Sequence, residues 1–172
     1  MNDKILKFPD EKNINKTCSF LGSDFIIFVE NSEEYLNFYS KVKKLLISLI
    51  NKNYKLFLCP AKPGFAELLI KILNELKKEY DIIIFSIFFS LEHAKLNDLL
   101  NKKFLNFIKN SDDCYLLQEN LDEIVSEIEG YKKIIPYVSS LIVDNSFTEI
   151  DKFEIVKLAS KYNKEIIYLD DL

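Results

Sequence analysis

The run Ile82-Ile83-Ile84-Phe85-Ser86-Ile87 has no polar face. A strand with one face in water alternates apolar and polar residues. A run like this one belongs to a strand covered on both sides, the condition of a parallel sheet flanked by helices. Lys55-Leu56-Phe57-Leu58-Cys59 is of the same kind and is stopped by Pro60. Further β segments are read at 17–22 with a possible continuation over 25–29, at Cys114–Leu117, at Tyr137–Val143 and at Glu165–Leu169.

Between these runs the apolar spacing changes from two to three and four, the period of a helix. Tyr35, Phe38, Tyr39, Val42, Leu45, Leu46, Leu49 and Ile50 predict a helix over 33–52, with Ser32 or Asn31 as its cap. Phe65 to Leu76 predict a second, opening after Pro63-Gly64. Leu96 to Ile108 predict a third, and Leu121, Ile124, Val125 and Ile128 a fourth. Phe153, Val156, Ala159 and Tyr162 line a last one. Strands and helices that alternate through short connections call for right-handed crossovers. The expected fold is a three-layer, Rossmann-like, doubly wound α/β sandwich. Its mainly parallel sheet has five to six strands, with helices on both faces. The chain is read as one domain over 17–172 preceded by an extension over 1–16.

Composition narrows the function classes. The 172 residues carry a net charge of −4, and all 23 basic residues are lysine. Arginine supplies the planar fork that grips phosphates and carboxylates with two hydrogen bonds, and it is absent. Its absence also fits a low-GC coding bias, and the two explanations stand side by side. An acidic chain without a dense basic patch disfavours nucleic-acid binding. No apolar run approaches the roughly 20 residues that span a bilayer, and residues 1–16 lack a signal-peptide core. A cytoplasmic protein without a membrane partner is expected. Cys18, Cys59 and Cys114 are odd in number and far apart, so they read as small buried hydrophobes rather than metal ligands. No metal and no cofactor are expected.

Thr17-Cys18-Ser19-Phe20-Leu21-Gly22-Ser23-Asp24 is a strand running into a glycine turn, the usual entry to a nucleotide crevice in an open parallel sheet. It resembles the Thr-Cys-Cys-Phe-Thr-Gly-His-Arg motif of the YpsA-like family, within the SLOG superfamily of Rossmann-like proteins. Thr17, Cys18, Phe20 and Gly22 match; Leu21, Ser23 and Asp24 replace threonine, histidine and arginine. The stretch Leu58-Cys59-Pro60-Ala61-Lys62-Pro63-Gly64-Phe65-Ala66 is similar to the family's Gly-Gly-Ala-x-Gly-Phe-Asp turn. There Ala61, Gly64 and Phe65 match, while Pro60 stands for a glycine and Ala66 for the acid. Leu73–Ile87, Lys109–Gln118 and Ser139–Val143 also resemble the family. Its Arg-Asn pair is replaced by Tyr131 and Lys132, and its late Gly-Gly-Thr turn by residues near Asp151-Lys152. The likeness to the LOG phosphoribohydrolase signature is limited to Pro63-Gly64-Phe65-Ala66-Glu67.

The resemblance implies a crevice at the carboxyl ends of the strands. Gly22, Ser23, Ala61, Lys62, Gly64, Phe65 and Phe88 are the ligand-binding candidates, with Asp24, Ser86 and Asp144 nearby. Pro60 and Pro63 each lack an amide hydrogen, so this turn makes a poorer anion cradle than a glycine turn. Lys62 supplies a compensating cation, and Asp24 would repel a phosphate. Phe88-Phe89 either stacks a base or closes the core, and the core is the commoner role of such a pair. Glu67 complements the helix N-terminus and His93 lacks a neighbouring nucleophile, so neither is a strong catalytic candidate.

The expected function is non-catalytic binding of a nucleotide or nucleotide-derived ligand, as a sensor or sequestering protein. The alternative is a degenerate relative that works through protein contacts, including those of a homodimer, suggested by 14 phenylalanines and nine tyrosines. Nucleotide N-glycoside hydrolysis comes third.

Overall fold

The computed structural model describes residues 16–23, 31–62, 64–89, 105–117, 125–144 and 149–171. Six strands form one sheet: β1 (Lys16–Leu21), β2 (Tyr54–Pro60), β3 (Ile83–Phe88), β4 (Asp113–Leu116), β5 (Ser140–Val143) and β6 (Glu165–Tyr168). Their order is β4-β3-β2-β1-β5-β6, and every pairing is parallel. This is the expected Rossmann-like α/β architecture. β1 is the point of reversal, because the chain winds outward from it to β4 on one side and to β6 on the other.

Alternate residues of each strand serve opposite faces. On one face Phe57 and Cys59 of β2 join Cys18, Phe20 and Ile84 beneath helices α1 (Glu33–Asn51) and α2 (Phe65–Leu76). On the other, Leu56 and Leu58 join Leu21, Phe85, Leu141 and Val143 beneath α3 (Glu127–Ile134) and α4 (Ile150–Lys161). Two separate cores on a two-sided sheet explain why its central strands have no polar face.

The helix ends follow local chemistry. Ser32 Oγ accepts the Tyr35 amide at 3.1 Å and caps α1. Asn53 (φ 71°) follows α1 and Asn163 (φ 54°) follows α4 in the left-handed conformation that ends helices and that asparagine tolerates.

Three expectations need correction. The fourth helix begins at Glu127; Val125 is buried but non-helical, and Ser126 is the cap. Residues 121–124 lie outside the described residues, as do most of the third expected helix and the segment 25–29; residues 105–109 are helical. Residues 137–139 are not strand: Ile135–Tyr137 form a 3₁₀ turn around Pro136, and β5 starts at Ser140. The inward face of α4 is Lys152, Ile155 and Ala159, whereas Phe153 and Tyr162 are 51% and 47% exposed. No helix among the described residues is long and apolar enough to cross a membrane.

Candidate functional site

The turns that follow β1 and β2 meet. Ser23 carbonyl accepts the Phe65 amide at 3.0 Å, tying the glycine turn of β1 to the first residue of α2. A cavity lies at this junction, beside the point where strand order reverses. β1 and its turn give it Phe20, Gly22 and Ser23; β2 and its turn give Pro60 and Lys62. α2 adds Phe65 and Ala66, and α3 adds Glu127 and Tyr131. The centre of a water-sized molecule can range over about 20 Å³ of it, room for about one ordered water.

Gly22 is required by packing. A Cβ built on it would lie 2.8 Å from Phe65 Cγ and 2.9 Å from Phe65 Cβ, the root of a fully buried side chain. The space beside the glycine, which in a phosphate-binding turn admits the ligand, is taken by an aromatic ring. Gly64 is different: its φ of 82° is in the region that only glycine enters at little cost.

The amides at the start of α2 are largely engaged. Gly64 N–H donates to Glu67 Oε2 at 3.1 Å, and Phe65 N–H donates to Ser23 as above. Glu67 N–H turns back to the Gly64 carbonyl at 3.1 Å, and Lys62 N–H to the Pro60 carbonyl at 2.8 Å. Ala61 N–H continues the sheet by donating to Ile87 at 2.8 Å. Glu67 is therefore a helix cap, and its carboxylate faces the backbone of its own turn.

Lys62 Nζ lies 2.8 Å from Glu127 Oε2, with the two side chains only 19% and 17% exposed. Glu127 reaches this position because it is the first residue of α3. Ser126 Oγ accepts the Glu129 amide at 3.3 Å and sets where that helix starts. Tyr131, one turn on, donates its hydroxyl to the Phe20 carbonyl, and its ring meets Phe89 edge-on at 5.7 Å. The Ser126-x-x-Glu129 spacing is the sequence signal for this helix start. Nothing in the sequence joins Glu127 to Lys62.

Of the candidates, Gly22, Ser23, Lys62 and Phe65 line the cavity. Ala61 and Gly64 are buried within the same turn. Phe88 does not line it: it is half-buried against the α1–α2 core, and its carbonyl accepts the Leu117 amide at 2.8 Å. Phe89 is buried in the opposite core, so the pair closes both faces of the sheet. Ser86 is buried beneath Ser111, their hydroxyl oxygens 2.5 Å apart. Asp144 continues β5 and donates its amide to Leu21 at 2.9 Å. Asp24, Pro63 and His93 lie outside the described residues.

Among the described residues no three side chains are grouped to hold a metal ion. Cys18 and Cys59 are fully buried, and burial pushes both thiols up from their ordinary value, with the neighbouring Cys59 contributing in the same direction at Cys18. Neither thiol is a nucleophile near neutral pH. No protein-family model matches the chain, and no curated protein matches it either.

Proposed function

We propose that the chain is a SLOG-type domain that holds a phosphate-bearing, nucleotide-derived ligand at the ends of β1 and β2, as a sensor or sequestering protein and without catalysis. One observation carries this reading. The Gly22 and Gly64 turns converge beside the reversal of strand order, with Lys62 among the residues that line the cavity there. Phe20, Gly22, Ser23, Pro60, Lys62, Phe65 and Ala66, which line that junction, all fall within the two stretches that resemble the SLOG motifs. The third possibility, N-glycoside hydrolysis, loses support because the Glu67 carboxylate is engaged as a cap. A panel of nucleoside monophosphates and cyclic dinucleotides tests the proposal. One of them should raise the melting temperature, as any ligand that prefers the folded state does. Lys62→Ala should abolish the shift.

A second reading, a domain without a ligand that works through protein contacts or as a homodimer, is favoured by two observations. The Phe65 ring fills the space beside Gly22. Ile150, Phe153 and Tyr162 expose apolar surface along α4, with Ile150 77% exposed. A folded protein that shows no thermal shift at millimolar ligand, and that sediments as a dimer, establishes this second reading over the first.

A further inference from the structure

We propose that Glu127 is the resident counter-ion of the Lys62 site, and that a ligand enters by exchange: its phosphate takes the ammonium from the Glu127 carboxylate. The proposal deepens the ligand-binding reading above and rests on it. Glu127 is not a solvated acid that lies near a lysine by chance. Its side chain turns inward from the first turn of α3, and both partners are less than a fifth exposed at 2.8 Å. The helix that carries it is anchored on either side of the residue, by the Ser126 cap and by the Tyr131 hydroxyl on the Phe20 carbonyl. An anion that approaches Lys62 therefore meets a charge already balanced, and a second negative group placed there is opposed by the carboxylate. Binding strength is then the difference between two anions competing for one cation.

That competition selects the ligand class. A phosphodiester brings one negative charge, the same as the carboxylate it must replace. A phosphomonoester brings between one and a half and two at neutral pH, about the charge of a phosphoserine. The site therefore favours a terminal phosphomonoester over a cyclic or bridging diester. Glu127→Gln keeps the size of the side chain and removes its charge, and with it the carboxylate that competes with an incoming phosphate for the Lys62 ammonium.

The test is calorimetric titration of the wild type, Glu127→Gln and Lys62→Ala with AMP, cyclic AMP and inorganic phosphate, with thermal melts to establish that each variant is folded. Glu127→Ala serves in place of the glutamine variant should that one melt early. Glu127→Gln is expected to bind AMP and inorganic phosphate about tenfold more tightly than the wild type. The wild type is expected to prefer AMP to cyclic AMP, and Lys62→Ala to lose the gain. Equal AMP affinity in the wild type and Glu127→Gln overturns the exchange and leaves the ligand-binding reading standing. Phosphate binding that tightens while AMP binds neither protein supports the exchange and overturns the nucleotide reading. No binding of any probe to any folded variant overturns both.

Discussion

Gly22→Ala distinguishes a glycine kept for a ligand from a glycine kept for packing. The added methyl would sit 2.8 and 2.9 Å from Phe65 Cγ and Cβ, where non-bonded carbons settle at about 3.5–4.0 Å. Something must retreat by at least roughly half an ångström. Phe65 has little freedom to do so: its amide is fixed to Ser23, its ring stands 6.1 Å from that of Phe38, and it is 2% exposed. Overpacking of this kind costs about 1–3 kcal/mol. For a chain of this length each kcal/mol lowers the melting temperature by about 2–4 °C, so a fall of roughly 2–12 °C is expected. Urea and thermal melts of Gly22→Ala, Phe65→Ala and the double variant measure it as a cycle. Phe65→Ala alone should cost about 3–5 kcal/mol, but it removes the ring that the new methyl would strike. The penalty of Gly22→Ala should therefore shrink in that background, a coupling of about 0.5–3 kcal/mol. A Gly22→Ala protein within about 0.5 kcal/mol of the wild type refutes the packing argument. So does a penalty undiminished by removal of the ring.

Two further outcomes follow from the polar and thiol groups. Burial and raised thiol values make Cys18 and Cys59 unreactive in the folded state, so a disulfide reagent at neutral pH should modify Cys114 first and the other two at the rate of global unfolding; rapid labelling of all three would contradict the buried placement. Glu165 is held below the ordinary carboxylate range, first by the Ser140 hydroxyl at 2.8 Å and then by Tyr54 at 3.0 Å, with Lys52 and Lys16 adding to it. A lowered folded value means stability that is present above the unfolded value and lost as pH falls through the folded one. Glu165→Gln should accordingly melt below the wild type at pH 7, with the gap closing in acid below about pH 4. A gap that stays constant with pH shows that the charge contributes nothing.

The sheet was legible in the sequence because its inner strands pack both faces, which leaves short apolar runs such as Leu56–Cys59 and Ile82–Phe85 between turn residues and helical spacings. The places that resisted are those where apolar periodicity and burial part company. Val125 is buried without being helical, so a helical spacing counted from Leu121 runs past the true start, which the Ser126 cap defines. Lys152 is 1% exposed and within 3.2 Å of Glu149, so the inward face of α4 is led by a charge. A search for apolar residues settles instead on Phe153 and Tyr162. The site was half legible. Gly22 and Gly64 mark two turns after two strands, and a doubly wound order brings them together. That Phe65 would fill the first turn, and that a glutamate 65 positions away would meet Lys62, are facts of three-dimensional packing with no local signature.

The placement of β1 also bears on how the chain matures. This strand pairs with β2 on one edge and with β5 on the other, and Thr17 N–H reaches Ser139 Oγ across 122 positions of sequence. At roughly 5–20 residues per second on a ribosome, β1 waits about 6–24 s with one flank unpaired before its second neighbour is synthesised. During that interval the emerging polypeptide presents a strand template together with Leu21 and Leu58, apolar residues whose covering helices do not yet exist. Helper proteins that shield nascent segments would find their natural target there, and a premature stop before residue 140 leaves an aggregation-prone remnant rather than a smaller working fold.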